Sequence, residues 1–361
     1  MRSRPTRSPD FGSLIEAQSY LRKVVGKSTR GAPFKQSLNL AIAANEVDLR
    51  EAIRAVIIFS SLTAWSRCAK TGRNPQEPDH IAALVLEGTP LVQNALDLLR
   101  PAGISSNILG VYCHQSPYVV FDGASNQRCE IGDLLICHFH FPAAGRPRRN
   151  ALLLQAKMSH GKPLTLKKKE LPQFSLYSQW PTFRYDSPPL TGQQREVLPS
   201  SPHTGAQYLT VRSSWQSWRG STMRIAFPWD PLVSRASLEL VFLQLLWGST
   251  GRPFLPYASP AREGWSEVVW DLIHSAARKA FRRESSGIAR APRLVDPGGL
   301  DGLWFCRGYD SIQSALESME LHGEVPGWPD APEFSQSPGP STPPDEDTAP
   351  SLVIVSTRTS D

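Results

Sequence analysis

Three polar residues stand on runs that are otherwise apolar: Asp133, Gln155 and Lys157. Asp133 opens Leu134-Leu135-Ile136-Cys137-His138-Phe139-His140-Phe141. Gln155 and Lys157 close Ala151-Leu152-Leu153-Leu154-Gln155-Ala156-Lys157-Met158-Ser159. Both runs have strand length, and a segment of Pro, Gly, Arg and Asn separates them, so they read as a hairpin. Alternation along a strand puts Gln155 and Lys157 on one face. An unpaired charge on such a strand is costly, so the three groups must meet each other, a metal ion or water. Hard oxygens beside a lysine suit phosphodiester hydrolysis, in which a divalent cation activates water and the ammonium stabilises charge on the phosphate.

The arrangement resembles the PD-(D/E)XK nuclease superfamily, the restriction-endonuclease-like fold. Asp133 matches the acid at the start of one strand. Gln155-Ala156-Lys157 matches the triplet on the next, with Gln where the family has Asp or Glu, and Gly132 stands where the family often has Pro. The likeness covers roughly residues 85–180. It implies an α/β fold with a mixed sheet flanked by helices, and a Mg²⁺ (or Mn²⁺) ion held by Asp133, Gln155 and the backbone carbonyl of Ala156. Lys157 would position the attacking water or stabilise the phosphate. Glu130, three residues before Asp133, would restore the negative charge that Gln155 lacks. Many family members add a helix glutamate, and Glu87 and Asp97 are the upstream candidates, though each reads more readily as an acid on a solvated helix face.

The elements that must position these residues follow from periodicity. Apolar residues recur at helical spacing over 36–66 and again over about 80–100, with a break near Gly88 and Pro90 and a stop at Arg100-Pro101. Residues 117–121 read as a strand, 164–178 as a helix, 206–211 as a strand. Further helices are expected at about 231–247 and 264–283, and a strand at 303–306. The reading is a disordered segment 1–10, a nuclease-like core 11–185, a helical elaboration 186–328 packed on it, and a disordered tail 329–361. Seven prolines in the last 33 residues motivate the tail, and Ser351-Leu352-Val353-Ile354-Val355 reads as an apolar island within it.

Charge divides unevenly. Residues 329–361 carry six acids and one base, leaving 38 bases against 27 acids in the other 328 residues. A basic body favours a polyanionic partner, here nucleic acid, with DNA preferred over RNA. Between Gly145 and Glu170 there are eight bases and one acid. Arg148, Arg149, Lys167, Lys168 and Lys169 are the expected phosphate contacts beside the site.

Other chemistries find less support. Cys137 and His138 are adjacent on a strand and face opposite sides, so one zinc ion cannot easily take both. No phosphate-binding glycine loop and no nucleophile elbow is present. No apolar run approaches the roughly 20 residues of a membrane span. Five irregularly spaced cysteines give no disulfide framework, and Met1 to Asp10 lack the apolar core of a signal peptide, so a cytoplasmic protein is expected. Two alternatives remain: a nucleic-acid binder of this fold with a decayed site, and an interaction protein with a basic face.

Overall fold

The computed structural model describes residues 37–121, 127–159, 164–200, 204–213, 222–228, 236–257, 259–262, 264–285, 297–319 and 348–359. The expected disordered segment 1–10 lies outside them, as do residues 329–347 and 360–361 of the expected tail.

The chain begins with α1 (Leu38–Ala44) and α2 (Glu46–Ala69). The apolar period runs through both, but Asn45 interrupts it by bonding its side-chain amide to the Ala41 carbonyl at 2.9 Å, a local bond that competes with the helix. After a polar turn come α3 (Glu77–Ala83), a π-helical turn (Leu84–Gly88), α4 (Thr89–Leu96) and a 3-10 turn (Asp97–Ala102). The start of α3 is set by a capping box, in which Asp79 accepts from the Gln76 amide at 2.8 Å. The π turn falls at the expected break. Then follow β1 (Ile104–Val111), β2 (Tyr118–Phe121), β3 (Gln127–Glu130), β4 (Leu134–Phe141), β5 (Arg148–Ser159) and α5 (Leu171–Gln179). The second half supplies β6 (Phe183–Tyr185), β7 (Gln194–Arg195), β8 (Ala206–Arg212), β9 (Met223–Ala226), β10 (Ala236–Ser237) and α6 (Leu238–Trp247). It ends with β11 (Arg252–Pro253), α7 (Trp265–Ser285), β12 (Trp304–Cys306), α8 (Ile312–Ser318) and β13 (Ser351–Thr359).

Among the described residues the main sheet has nine strands in the order β10-β9-β8-β5-β4-β13-β1-β12, with β11 on β5. It is mixed: β5 runs parallel to β8, β13 runs parallel to β4, and the other pairs are antiparallel. The fold is therefore α/β with a mixed sheet between helices. Along β5, Leu152, Leu154 and Ala156 face the core built with α1–α4 and α6. Ala151 and Leu153 face the core built with α5, α7, α8 and a small sheet, β3-β2-β6-β7. Two apolar faces explain why this strand reads as a near-continuous apolar run.

Two expectations are corrected. The apolar island 351–355 is no part of a disordered tail: it belongs to β13, which lies between β4 and β1, in register with β4 from Ser351↔Leu134 to Arg358↔Phe141, and Leu352, Ile354 and Val355 are fully buried. A paired neighbour on both sides makes it a central strand, and its burial overrides the composition around it. The division at 185 also fails, because β8, β9, α6 and β13 complete the same sheet and the same cores as β4 and β5. The strand read at 117–121 forms as β2 and belongs to the small sheet, while the main-sheet strand upstream of the hairpin is β1.

Candidate functional site

The hairpin forms as expected, with Leu134 opposite Leu154 and His140 opposite Arg148. Beyond Leu134 the partner strand leaves β5, and the turn Ile131–Asp133 takes its place. That turn is fastened on several sides. Asp133 N donates to Leu154 O at 2.8 Å, Ser351 N donates to Asp133 O at 3.0 Å, and Tyr177 Oη donates to Ile131 O at 2.8 Å. Ser116 Oγ donates to the Gly132 carbonyl. Gly132 leaves no space for a side chain: a Cβ would lie 2.7 Å from Tyr177 Oη and 2.8 Å from Leu153 Cδ1.

So held, Asp133 covers the open edge of β5. Its Oδ2 accepts from the Ala156 backbone N–H at 2.6 Å and from Gln155 Nε2. Because Gln155 gives its N–H end to the carboxylate, its Oε1 points elsewhere, buried and without a partner. One step further along the same edge, Glu77 Oε1 accepts from the Met158 amide at 2.9 Å. Two carboxylates thus satisfy consecutive outward-facing amides of a strand that has lost its neighbour. Lys157 Nζ pairs with Glu170 Oε1 at 3.2 Å, and Glu170 also caps the turn before α5 by accepting from Lys167 N at 2.7 Å.

The electrostatics are those of a partly buried acidic group with one lysine. Burial pushes the Asp133 carboxyl up to about 7, helped by the charges of Glu130 and Glu77; the Ala156 N–H and Lys157 oppose the shift. Glu130 is also raised, by burial first, while Lys157 and the Tyr118 hydroxyl pull it down. Burial would raise Glu170 too, but the Lys167 N–H and Lys157 outweigh it and hold it below its ordinary value.

The sequence-derived residues distribute unevenly around this centre. Asp133, Gln155 and Ala156 meet directly, and Lys157 and Glu130 lie within their electrostatic reach. Lys167, Lys168 and Lys169 are exposed on the segment that carries Glu170, and so flank the site. Arg148 and Arg149 do not flank it: they begin β5, and the eight residues from Arg149 to Lys157 span roughly 25 Å of strand. The two upstream helix acids are engaged elsewhere. Glu87 pairs with Arg67, while Asp97 pairs with Arg100 and Arg307, both at 2.9 Å. The helix acid that reaches the site is Glu77, on the first turn of α3. A capping signature (Gln76 to Asp79, with Pro78) marked that turn in the sequence.

Whether the residues suit a divalent cation turns on oxygen donors. Mg²⁺ favours hard oxygens, keeps several waters and is commonly bound through one or two carboxylates. Asp133 supplies a carboxylate, and the unpartnered Gln155 Oε1 is a buried amide oxygen one hydrogen bond away. The donor set therefore fits in kind. Among the described residues, no three His, Cys, Asp or Glu side chains are grouped so as to hold a metal ion. No described helix is long and apolar enough to cross a membrane. No protein-family model, curated protein or solved structure matches the chain.

Proposed function

We propose that this protein is a metal-dependent nuclease hydrolysing phosphodiesters of nucleic acid, DNA in preference to RNA. The observation that carries the reading is the meeting of Asp133 with Gln155 and Ala156 at the open edge of β5, with Lys157 on the same strand. Strand, turn and hairpin hold these groups on a rigid sheet, as a preorganised site requires.

In this reading Asp133, the Gln155 side-chain oxygen and the Ala156 carbonyl hold Mg²⁺ or Mn²⁺. The ion, when bound, supplies a Lewis acid for the phosphate and an acidified water. Lys157 holds its positive charge toward the phosphate, and Glu170 positions that ammonium through their ion pair. Glu77 and Glu130 add negative charge around the site without being required as direct ligands. Lys167, Lys168 and Lys169 engage the backbone of the bound strand through charge, which makes affinity fall steeply with salt.

A second reading has its own support. Gln155 presents N–H rather than oxygen to Asp133, so the pair satisfies itself without an ion. A chain that keeps this bond permanently would bind nucleic acid and leave it intact. The two readings separate on linear, supercoiled and single-stranded DNA with Mg²⁺, Mn²⁺ or Co²⁺. The nuclease reading expects EDTA-sensitive cleavage that Asp133→Ala abolishes while much of the binding survives. Binding on every substrate with cleavage on none supports the second reading instead. Neither binding nor cleavage at low salt removes both.

A further inference from the structure

The small sheet presents a second surface next to Asp133. Its strands run β3-β2-β6-β7, and β3 ends at Glu130, three residues before Asp133. One face, with Val119, Phe121, Cys129, Phe183 and Tyr185, is buried in the second core. Residues directly opposite each other on neighbouring strands share a face. Val120 is opposite both Arg128 and Arg184, Arg184 is opposite Gln194, and Tyr118 is opposite Glu130. These residues form the outer face, on which Arg128, Arg184 and Gln194 are exposed and the others only partly buried.

The outer face is polar and partly rigid. The Arg128 guanidinium lies over the Tyr118 ring, 3.9 Å from its centroid, and its Nε donates to Asp186 Oδ2 at 2.7 Å. The Tyr118 hydroxyl in turn bonds the Glu130 carboxylate, which ties this platform to the Asp133 site. Among the described residues, the terminal nitrogens of Arg128 make no hydrogen bond, and Arg184 has neither a hydrogen bond nor an ion pair. Two acids adjoin them. Asp186 is answered by Arg128, and burial pushes Glu130 toward its neutral form. Arg184 therefore leaves the face electropositive.

Arginine N–H groups without a partner are the donors that phosphate oxygens take. Two strand spacings separate Arg128 from Arg184, about 10 Å. Arg128 lies five residues before Asp133, so at most about 18 Å of extended chain separates them. A polyanion seated at Asp133 and running over this face thus meets both arginines within a few phosphates. The one aromatic ring among these residues, Tyr118, is already capped by Arg128. Contact is therefore with the backbone rather than with splayed bases, as suits a paired duplex.

We propose that the outer face of the small sheet binds the backbone of duplex DNA to one side of the scissile phosphate, through Arg128 and Arg184. This placement of the duplex rests on the reading that the Asp133 site engages nucleic acid.

The test is fluorescence anisotropy of a labelled duplex of about 24 base pairs, and of its single strand, titrated with the full chain in EDTA over a range of salt. Wild type is expected to bind the duplex more tightly than the single strand. Arg128→Gln and Arg184→Gln should each weaken duplex binding roughly five- to tenfold at low salt and lower the log–log salt slope by about 0.9. Arg100→Gln removes an exposed arginine near the opposite end of the main sheet and should change neither. Thermal melting confirms that each variant is folded; one that is not is replaced by Arg128→Met or Arg184→Met, which keep the apolar stem. Affinity unchanged in either folded variant, losses no larger than that of Arg100→Gln, or a single strand bound more tightly than the duplex overturns the proposal. Those results leave the Asp133 reading standing, whereas a wild type that binds no DNA at low salt overturns both. Cleavage is not part of this readout, so a protein that binds through this face and never cuts sinks the nuclease reading alone.

Discussion

Gln155 decides how the site behaves without an ion. Its amide N–H shields the Asp133 carboxylate, and its own oxygen remains buried without a partner. Gln155→Glu replaces that N–H by a second acid beside a carboxyl already pushed up to about 7. Like charges at this spacing repel, and a divalent cation between them relieves the repulsion. We expect Gln155→Glu to melt below wild type in EDTA and to gain more melting temperature than wild type on adding Mn²⁺. An equal or smaller gain argues against a ligand role at this position. The pair of Gln155 and Lys157 was legible in the sequence because strand alternation alone puts them on one face. Glu77 was not legible as a partner. It lies in a helix first turn, where an acid is expected for reasons of helix polarity, and only the tertiary approach of α3 brings it to Met158.

At the scale of elements, the hairpin could be read because its two apolar runs are bounded by residues that favour turns. The same local signals misled over β13. Prolines and acids surround it, and its partners β1 and β4 lie more than 200 residues away, so composition pointed to disorder while non-local pairing fixed a central strand. Sequence proximity misled in the opposite direction for Arg148 and Arg149. They are near Gln155 along the chain, but an extended strand carries them to the far end of the sheet. If β13 completes both cores, Ile354→Ala, which empties a fully buried position, should cost about 2–5 kcal/mol in urea unfolding. A chain ending before Ser351 should lose cooperative unfolding altogether. Wild-type stability in either case would contradict the placement of this strand.

Across the whole molecule, buried groups couple stability to pH. His80 is fully buried, both its ring nitrogens lack partners, and burial holds it down at about 4 despite the neighbouring Asp79. In the unfolded chain it titrates near its ordinary value of about 6.5. Between those values the unfolded state binds the extra proton, so this contribution is complete above about pH 6.5 and is lost as pH falls toward 4. Compared with His80→Leu, wild type should therefore lose about 1.4 kcal/mol for each pH unit within that window. Parallel pH profiles for the two proteins would show that His80 is protonated when folded. The basic body and the exposed Lys167, Lys168 and Lys169 predict a further global property, DNA affinity that falls linearly on a log–log plot against salt. Replacing the three lysines by Gln should lower that slope by roughly two to three.

The claim that joins these scales is that the edge of β5 is a site for cutting phosphodiesters. The most direct measurement is the single-turnover rate of cleavage of a bound DNA duplex in Mg²⁺ or Mn²⁺, with wild type, Asp133→Asn and Lys157→Ala at saturating protein. Saturation removes differences in affinity and leaves the chemical step. The account predicts a wild-type rate abolished by EDTA and reduced roughly 10²-fold or more in each variant, with duplex binding largely retained. Equal rates in wild type and in both folded variants, or bound duplex that no metal causes to be cut, would contradict it.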